Sequence, residues 1–166
     1  MGMLIDGHWR DEARTIDNGA YVRPTSPFSD PVPEQIIQAV SAEPGRFHLI
    51  ASLSCPWSHR LTLIRAIKKL ETALPLHIAC GPRTQGYRVA KPGQRWQVPG
   101  TNQTIEHLHQ LNTRADPGIT ARATEPMLWD AVDHRIVSNE SATLLPAQDA
   151  VSSAATWPLS PPALPG

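Results

Sequence analysis

The stretch Phe47-His48-Leu49-Ile50-Ala51-Ser52-Leu53-Ser54-Cys55-Pro56-Trp57-Ser58 decides the fold. Its first seven residues form an apolar run of strand length, introduced by the turn residues Glu43-Pro44-Gly45. Pro56 suits the first position of a helix, where the missing N–H would have no partner anyway. From Trp57 to Leu70, the residues Leu63, Ile67 and Leu70 recur at helical spacing, with Leu61 and Ile64 beside them. Lys68 and Lys69 fall in the last turn, where the helix dipole favours cations. Leu74-Pro75-Leu76-His77-Ile78-Ala79-Cys80 then reads as a second strand. Strand, helix, strand predicts a parallel, right-handed unit.

Working outward, residues 81–102 read as a long loop rich in Gly, Pro and Arg, anchored by Tyr87 and Trp96. Ile105, Leu108 and Leu111 share a helical face and predict a short helix from Thr104 to Leu111. Pro126–Asp130 and Arg135–Ser138 read as two strands of a hairpin joined by Ala131–His134. Ser138 or Asn139 caps a last helix that begins at Glu140. The order β-α-β-α-β-β-α over residues 46–142 is that of an α/β, thioredoxin-like domain. Residues 1–45 are expected to form an extension wrapped on that domain, held by Trp9, Tyr21 and Phe28, with a turn of helix at Glu34–Val40. Residues 143–166 are rich in Pro, Ala and Ser. Pro146 is expected to end the last helix after about two turns, and residues 143–166 are expected to form a disordered tail.

Composition narrows the function classes. The chain has 166 residues, 40% apolar and 18% charged, with 15 basic and 15 acidic side chains. That balance gives no reason to expect a nucleic-acid or membrane-surface partner. No apolar run is long enough to span a bilayer, and the amino terminus lacks a secretory pattern. Two cysteines make no disulfide framework, so a reduced, cytoplasmic protein is the expectation. His107 and His109 with Cys80 lack a fourth ligand, and no metal is expected.

The chemistry lies where the first strand meets the helix. Cys55 stands at the helix start, where unpaired N–H groups and the helix dipole favour thiolate over thiol. Arg60, on the first turn, adds positive charge. In a Cys-x-x-Cys redox site the second cysteine resolves the mixed disulfide, but here that position is Ser58. A mixed disulfide on Cys55 must then be cleared by an external thiol, and glutathione is the abundant one. Cys80 ends an apolar strand and reads as packing. Glu125-Pro126 precedes a strand, where thioredoxin-like folds place a cis-proline. A helix opening on Glu140-Ser141 suits a carboxylate and an amine, both of which the γ-glutamyl end of glutathione presents.

Taken together, Gly2–Trp9, Glu43–Leu49, Ser52–Arg60, Ala115-Asp116-Pro117, Arg122–Asp130 and Ile136–Ser141 resemble the glutathionyl-hydroquinone reductases, the Xi class of glutathione transferases. The resemblance covers residues 1 to about 142. It implies a two-step exchange with glutathione as co-substrate. Cys55 is the nucleophile, Trp57, Arg122, Glu125 and Pro126 hold glutathione, and Glu140 and Ser141 take its γ-glutamyl end. It implies glutathionyl-hydroquinones as the other substrates and leaves a homodimer open. Two positions depart from the family: Glu125 stands where an apolar residue is usual, and Gly86-Tyr87 where Gly-Trp is common. The all-helical domain that follows in glutathione transferases is expected to be missing, as in a truncated or frame-shifted gene. An apolar face should then be left exposed. Enzyme activity therefore stays open, the alternatives being a glutathione-binding module or a non-functional fragment.

Overall fold

The computed structural model describes residues 2–11, 16–17, 20–21, 25–81 and 85–151. The readings of Tyr21 as an anchor and of a disordered tail beyond residue 151 fall on residues whose side chains or placement lie outside that description. Ten short strands and four helices follow in order. The extension contributes hairpins β1 (Met3–Ile5) with β2 (His8–Arg10) and β3 (Ile16–Asp17) with β4 (Ala20–Tyr21), then helix α1 (Glu34–Ala42). The domain proper runs β5 (Phe47–Ala51), α2 (Pro56–Ile67), β6 (Leu76–Ile78), β7 (Trp96–Gln97), β8 (Thr104–Ile105), α3 (His109–Ala115), β9 (Met127–Asp130), β10 (Arg135–Ser138) and α4 (Ser141–Ala150).

The central sheet has four strands in the order β10-β9-β5-β6. β5 and β6 are parallel, with Leu49 opposite Leu76, whereas β9 runs antiparallel to both β5 and β10. This is the predicted thioredoxin-like α/β arrangement. β5 is buried on both faces, which explains its unbroken apolar run: Phe47, Leu49, Ile50 and Ala51 are all at most 1% exposed. One core lies between the sheet and helices α1, α2 and α4, around Ile36, Val40, Phe47, Leu61 and Leu144. A second lies on the opposite side, around Ile50, Ile105, Leu111, Met127 and Trp129.

Polar staples fix the sheet's register. Arg46 donates two bonds to the buried Asp130, Nε to Oδ1 at 3.0 Å and Nη2 to Oδ2 at 2.8 Å. Burial alone would push the Asp130 carboxyl up. The guanidinium and the Val132 and Asp133 amides outweigh it and hold the group below the usual range. In the extension, Leu4 bridges to Ala121, while Trp9 stacks on His109 with ring centroids 4.6 Å apart. The expected wrapping of the arm over the domain is therefore present at its first hairpin.

Four expectations are corrected. Thr104–Leu111 is not a helix: Thr104 and Ile105 pair with Gln97 and Trp96 as a hairpin, and the helix starts only at His109. Ile105, Leu108 and Leu111 are all fully buried, so their spacing marked core positions on a strand, a turn and a helix in succession. On α2 the buried residues are Ser58, Leu61 and Ile64, while Leu63 and Ile67 are about half exposed (47% and 54%). Leu53 and Trp57 nearby are exposed as well (68% and 51%). Cys80 is exposed rather than packed. Finally, Pro146 does not end the last helix, which continues to Ala150. Pro146 and Ala142, the residue whose carbonyl a regular residue there would bond, both lie on the exposed side. Packing of Leu144, Gln148 and Val151 against α1 and α2 carries the helix past the proline.

Candidate functional site

The site forms where β5 hands over to α2. Ser52-Leu53-Ser54 turns the chain, closed by the bond from Cys55 N to Ser52 O at 3.1 Å. Cys55 is the N-cap, with extended backbone angles (φ −102°, ψ 118°), and Pro56 takes the first helical position. The Cys55 side chain makes no capping bond, which leaves Sγ free to face outward from the helix start. It is partly buried, and its S–H lies 3.8 Å from the carbonyl oxygen of Glu125. Ser58, in the place of a resolving cysteine, is fully buried, and its Oγ accepts the Ser52 amide at 3.2 Å. The side chain there pins the turn that presents Cys55.

Glu125 and Pro126 approach Cys55 from the loop before β9, and the peptide bond between them is cis. Beside them opens a cleft of roughly 380 Å³ whose walls include Trp57, Arg60, Glu125, Pro126, Glu140 and Ser141. Of the residues singled out in the sequence, six thus share one wall system, with Cys55 reaching it through Glu125. Arg122 is half-buried nearby but is not part of that wall. Trp57 is 51% exposed, and the Arg60 guanidinium lies 5.1 Å from its ring centre, a cation–π pair at the cleft mouth. Glu125 is 5% exposed, so the unusual carboxylate is buried while its backbone carbonyl meets the sulfur.

Across the cleft, Glu140 is the N-cap of α4. Its Oε1 accepts the Ala142 amide at 3.1 Å and the Ser141 hydroxyl at 3.4 Å. Among the described residues only Oε1 of this carboxylate is hydrogen-bonded. A β-bulge at Val137 adds one residue to β10 between Ile136 and Ser138, which re-aims the chain into this cap. Sequence reading missed Asn139, Thr124 and Leu145, which also line the cleft. Asn139 alone had a signal, its place between a strand end and a helix start.

A cysteine at a strand–helix corner, beside a cis-proline loop and a helix start on this sheet, defines a thioredoxin-like domain. No family model matches the chain. It is 36% identical over 147 residues to the glutathionyl-hydroquinone reductase PcpF of Sphingobium chlorophenolicum, covering 87% of this chain and 45% of that protein. It is 35% identical over 156 residues to the glutathionyl-hydroquinone reductase YqjG of Escherichia coli, covering 87% and 47%. Among solved structures, an Xi-class glutathione transferase from Natrialba magadii superposes with a TM-score of 0.78 at 30% identity, covering 98% of this chain and 51% of that one. The glutathione-bound structure of Escherichia coli YqjG gives 0.62 at 32% identity, covering 90% and 46%. The chain spans about half the length of the curated relatives it matches. Over that half, the chain is similar to Xi-class glutathione transferases and glutathionyl-hydroquinone reductases, and it has the thioredoxin-like fold. Among the described residues no helix is long and apolar enough to cross a membrane.

Proposed function

We propose that the chain carries a glutathione-dependent, monothiol thiol-transfer site whose substrates are glutathionyl-hydroquinones. One observation carries the reading: Cys55, uncapped at the start of α2, meets the Glu125 carbonyl at the edge of a cleft whose far side is the Glu140–Ser141 helix start. A helix N-terminus favours a developing anion, and the thiolate is the attacking form.

In the first step the Cys55 thiolate attacks the glutathionyl sulfur of the substrate. An S–S bond forms, the carbon–sulfur bond breaks, and the aryl carbon leaves with the electron pair and takes a proton. In the second step a glutathione thiolate attacks the mixed disulfide, forming glutathione disulfide and returning Cys55 as thiolate. The ring carbon is reduced by two electrons and two glutathiones are oxidised to one disulfide. Ser58 cannot form the internal disulfide, so the external thiol is required. Trp57, the Glu125 backbone and Pro126 hold the glutathionyl group, and Arg122 stands outside the cleft wall. Glu140 Oε2 and the Ser141 hydroxyl take its γ-glutamyl end, with Arg60 beside Trp57 at the mouth.

The test is hydroquinone release from a glutathionyl-hydroquinone in the presence of glutathione, for the chain and for Cys55→Ser. Release that vanishes in the variant supports the reading. Glutathione protection against thermal unfolding without any release makes the chain a binding module instead. Neither protection nor release overturns both.

A further inference from the structure

The extension is not only wrapped on the domain; one of its loops is bonded into the backbone that presents Glu140 and Ser141. Phe28 N donates to Ser26 Oγ at 3.1 Å, and the Ser26 hydroxyl donates to Asn139 Oδ1. Asn139 N donates to Phe28 O at 2.9 Å, and the Ser138 hydroxyl donates to the same carbonyl at 3.0 Å. Ser138 Oγ in turn accepts Glu140 N at 3.2 Å and faces the Thr143 hydroxyl at 2.9 Å. Ser138 and Asn139 are at most 4% exposed, and Ser26 and Phe28 are partly buried against them. The bulge at Val137 shifts the register so that Ser138 faces Leu128, and the Ser26–Phe28 loop bonds Ser138 and Asn139 where β10 ends.

A helix start fixed this way can be aimed to within a fraction of an ångström, whereas a loop bonded only to water cannot. We infer that Ser26 is a positioning residue: through Asn139 it holds the Glu140–Ser141 helix start in register for the γ-glutamyl end of glutathione, so the amino-terminal extension sets glutathione affinity without touching the thiol. This rests on the function proposed above. Cys55 sits on a different element, and its turn is held by Ser52 and Ser58, not by the extension.

The experiment uses the full 166-residue chain as wild type, Ser26→Ala and Ser26→Thr. Glutathione affinity is measured by calorimetry, alkylation of Cys55 by iodoacetamide, and amide hydrogen exchange across residues 138–144. Losing the partly buried bonds of Ser26 should weaken glutathione binding about fivefold. Exchange at residues 138–144 should rise, alkylation should stay as in wild type, and Thr, which keeps the hydroxyl, should restore both affinity and protection. Unchanged affinity in Ser26→Ala overturns the inference. So does slower alkylation that Thr fails to rescue, which would mark general damage. A wild-type chain that binds no glutathione sinks the proposed function instead. The latch is then judged by exchange alone, and unchanged protection at 138–144 refutes it.

Discussion

The two cysteines stand just past the carboxyl ends of neighbouring parallel strands, yet their surroundings differ in kind. After β5 the chain turns into a helix, so Cys55 meets a helix start, an opposing carbonyl and a cleft. After β6 the chain bridges to Arg88: Cys80 N donates to Arg88 O at 2.8 Å, and Arg88 N donates back at 3.2 Å. Cys80 is the more exposed of the two. The proposed function rests on the less accessible sulfur, the one beside a helix start and the cis-proline loop. The same unit of strand, helix and strand yields a chemical corner and a structural one, depending on what the backbone does next.

The largest effect should come from the sulfurs themselves. Cys55→Ser should abolish hydroquinone release in a coupled glutathione assay, and Cys80→Ser should leave it within error of wild type. Equal losses would erase the contrast between the two corners.

Next is the far end of the helix that Cys55 starts. Lys68 is buried there, donating to the Asp149 carbonyl with Asp149 Oδ1 at 3.8 Å, while Gln148 donates to Leu61 O at 3.0 Å. Lys68→Ala breaks a buried charge pair and should lower stability by roughly 3 kcal/mol in urea denaturation. Alkylation of Cys55 under native conditions should not change. If it slows, the two ends of α2 are not independent.

A smaller loss is expected beside the β7–β8 hairpin, which follows Cys80. Gly100 has φ +78°, and a Cβ there would lie 1.8 Å from the Ala131 carbonyl oxygen. Gly100→Ala should destabilise by about 2 kcal/mol, read from the same urea transition, without altering Cys55.

The smallest effect is a pH dependence on β6, the strand that leads to Cys80. Trp96 Nε1 donates to His77 Nδ1 at 3.2 Å, so Nε2 carries the proton and donates to His48 Nδ1 at 2.9 Å. Burial first, and His48 second, push His77 down to about 4. The unfolded chain takes up that proton near pH 6.5. Stability from His77 is therefore complete above about 6.5 and falls as pH drops towards about 4. His109, also pushed down to about 4 by burial and then by His107, contributes in the same direction. His77→Gln should flatten part of the fall in Tm between those pH values. A profile as steep as wild type would remove His77 as a source.

Much of the fold was legible because its long elements declare themselves. The β5 run, the proline after Cys55 and the Pro126–Ser138 hairpin each carry a local signal strong enough to survive tertiary context. The two-residue strands Trp96–Gln97 and Thr104–Ile105 do not, since pairing between residues far apart leaves no periodicity in either partner. Leu63 and Ile67 kept helical spacing but sit on the exposed face, because only packing tells which of two apolar stripes is buried. The cleft's chemistry was readable at Cys55, Pro126 and Ser141, whose residue types suit their places. The bond from Ser26 to Asn139 was not, because a latch between residues 113 apart is a property of the assembled fold.

The most direct measurement is intact and peptide mass spectrometry of the chain after exposure to a glutathionyl-hydroquinone with no free glutathione present. One glutathionyl group on Cys55, none on the more exposed Cys80, and one hydroquinone released per adduct is the predicted result. Adducts on both sulfurs alike, on Cys80 alone, or on neither would contradict it.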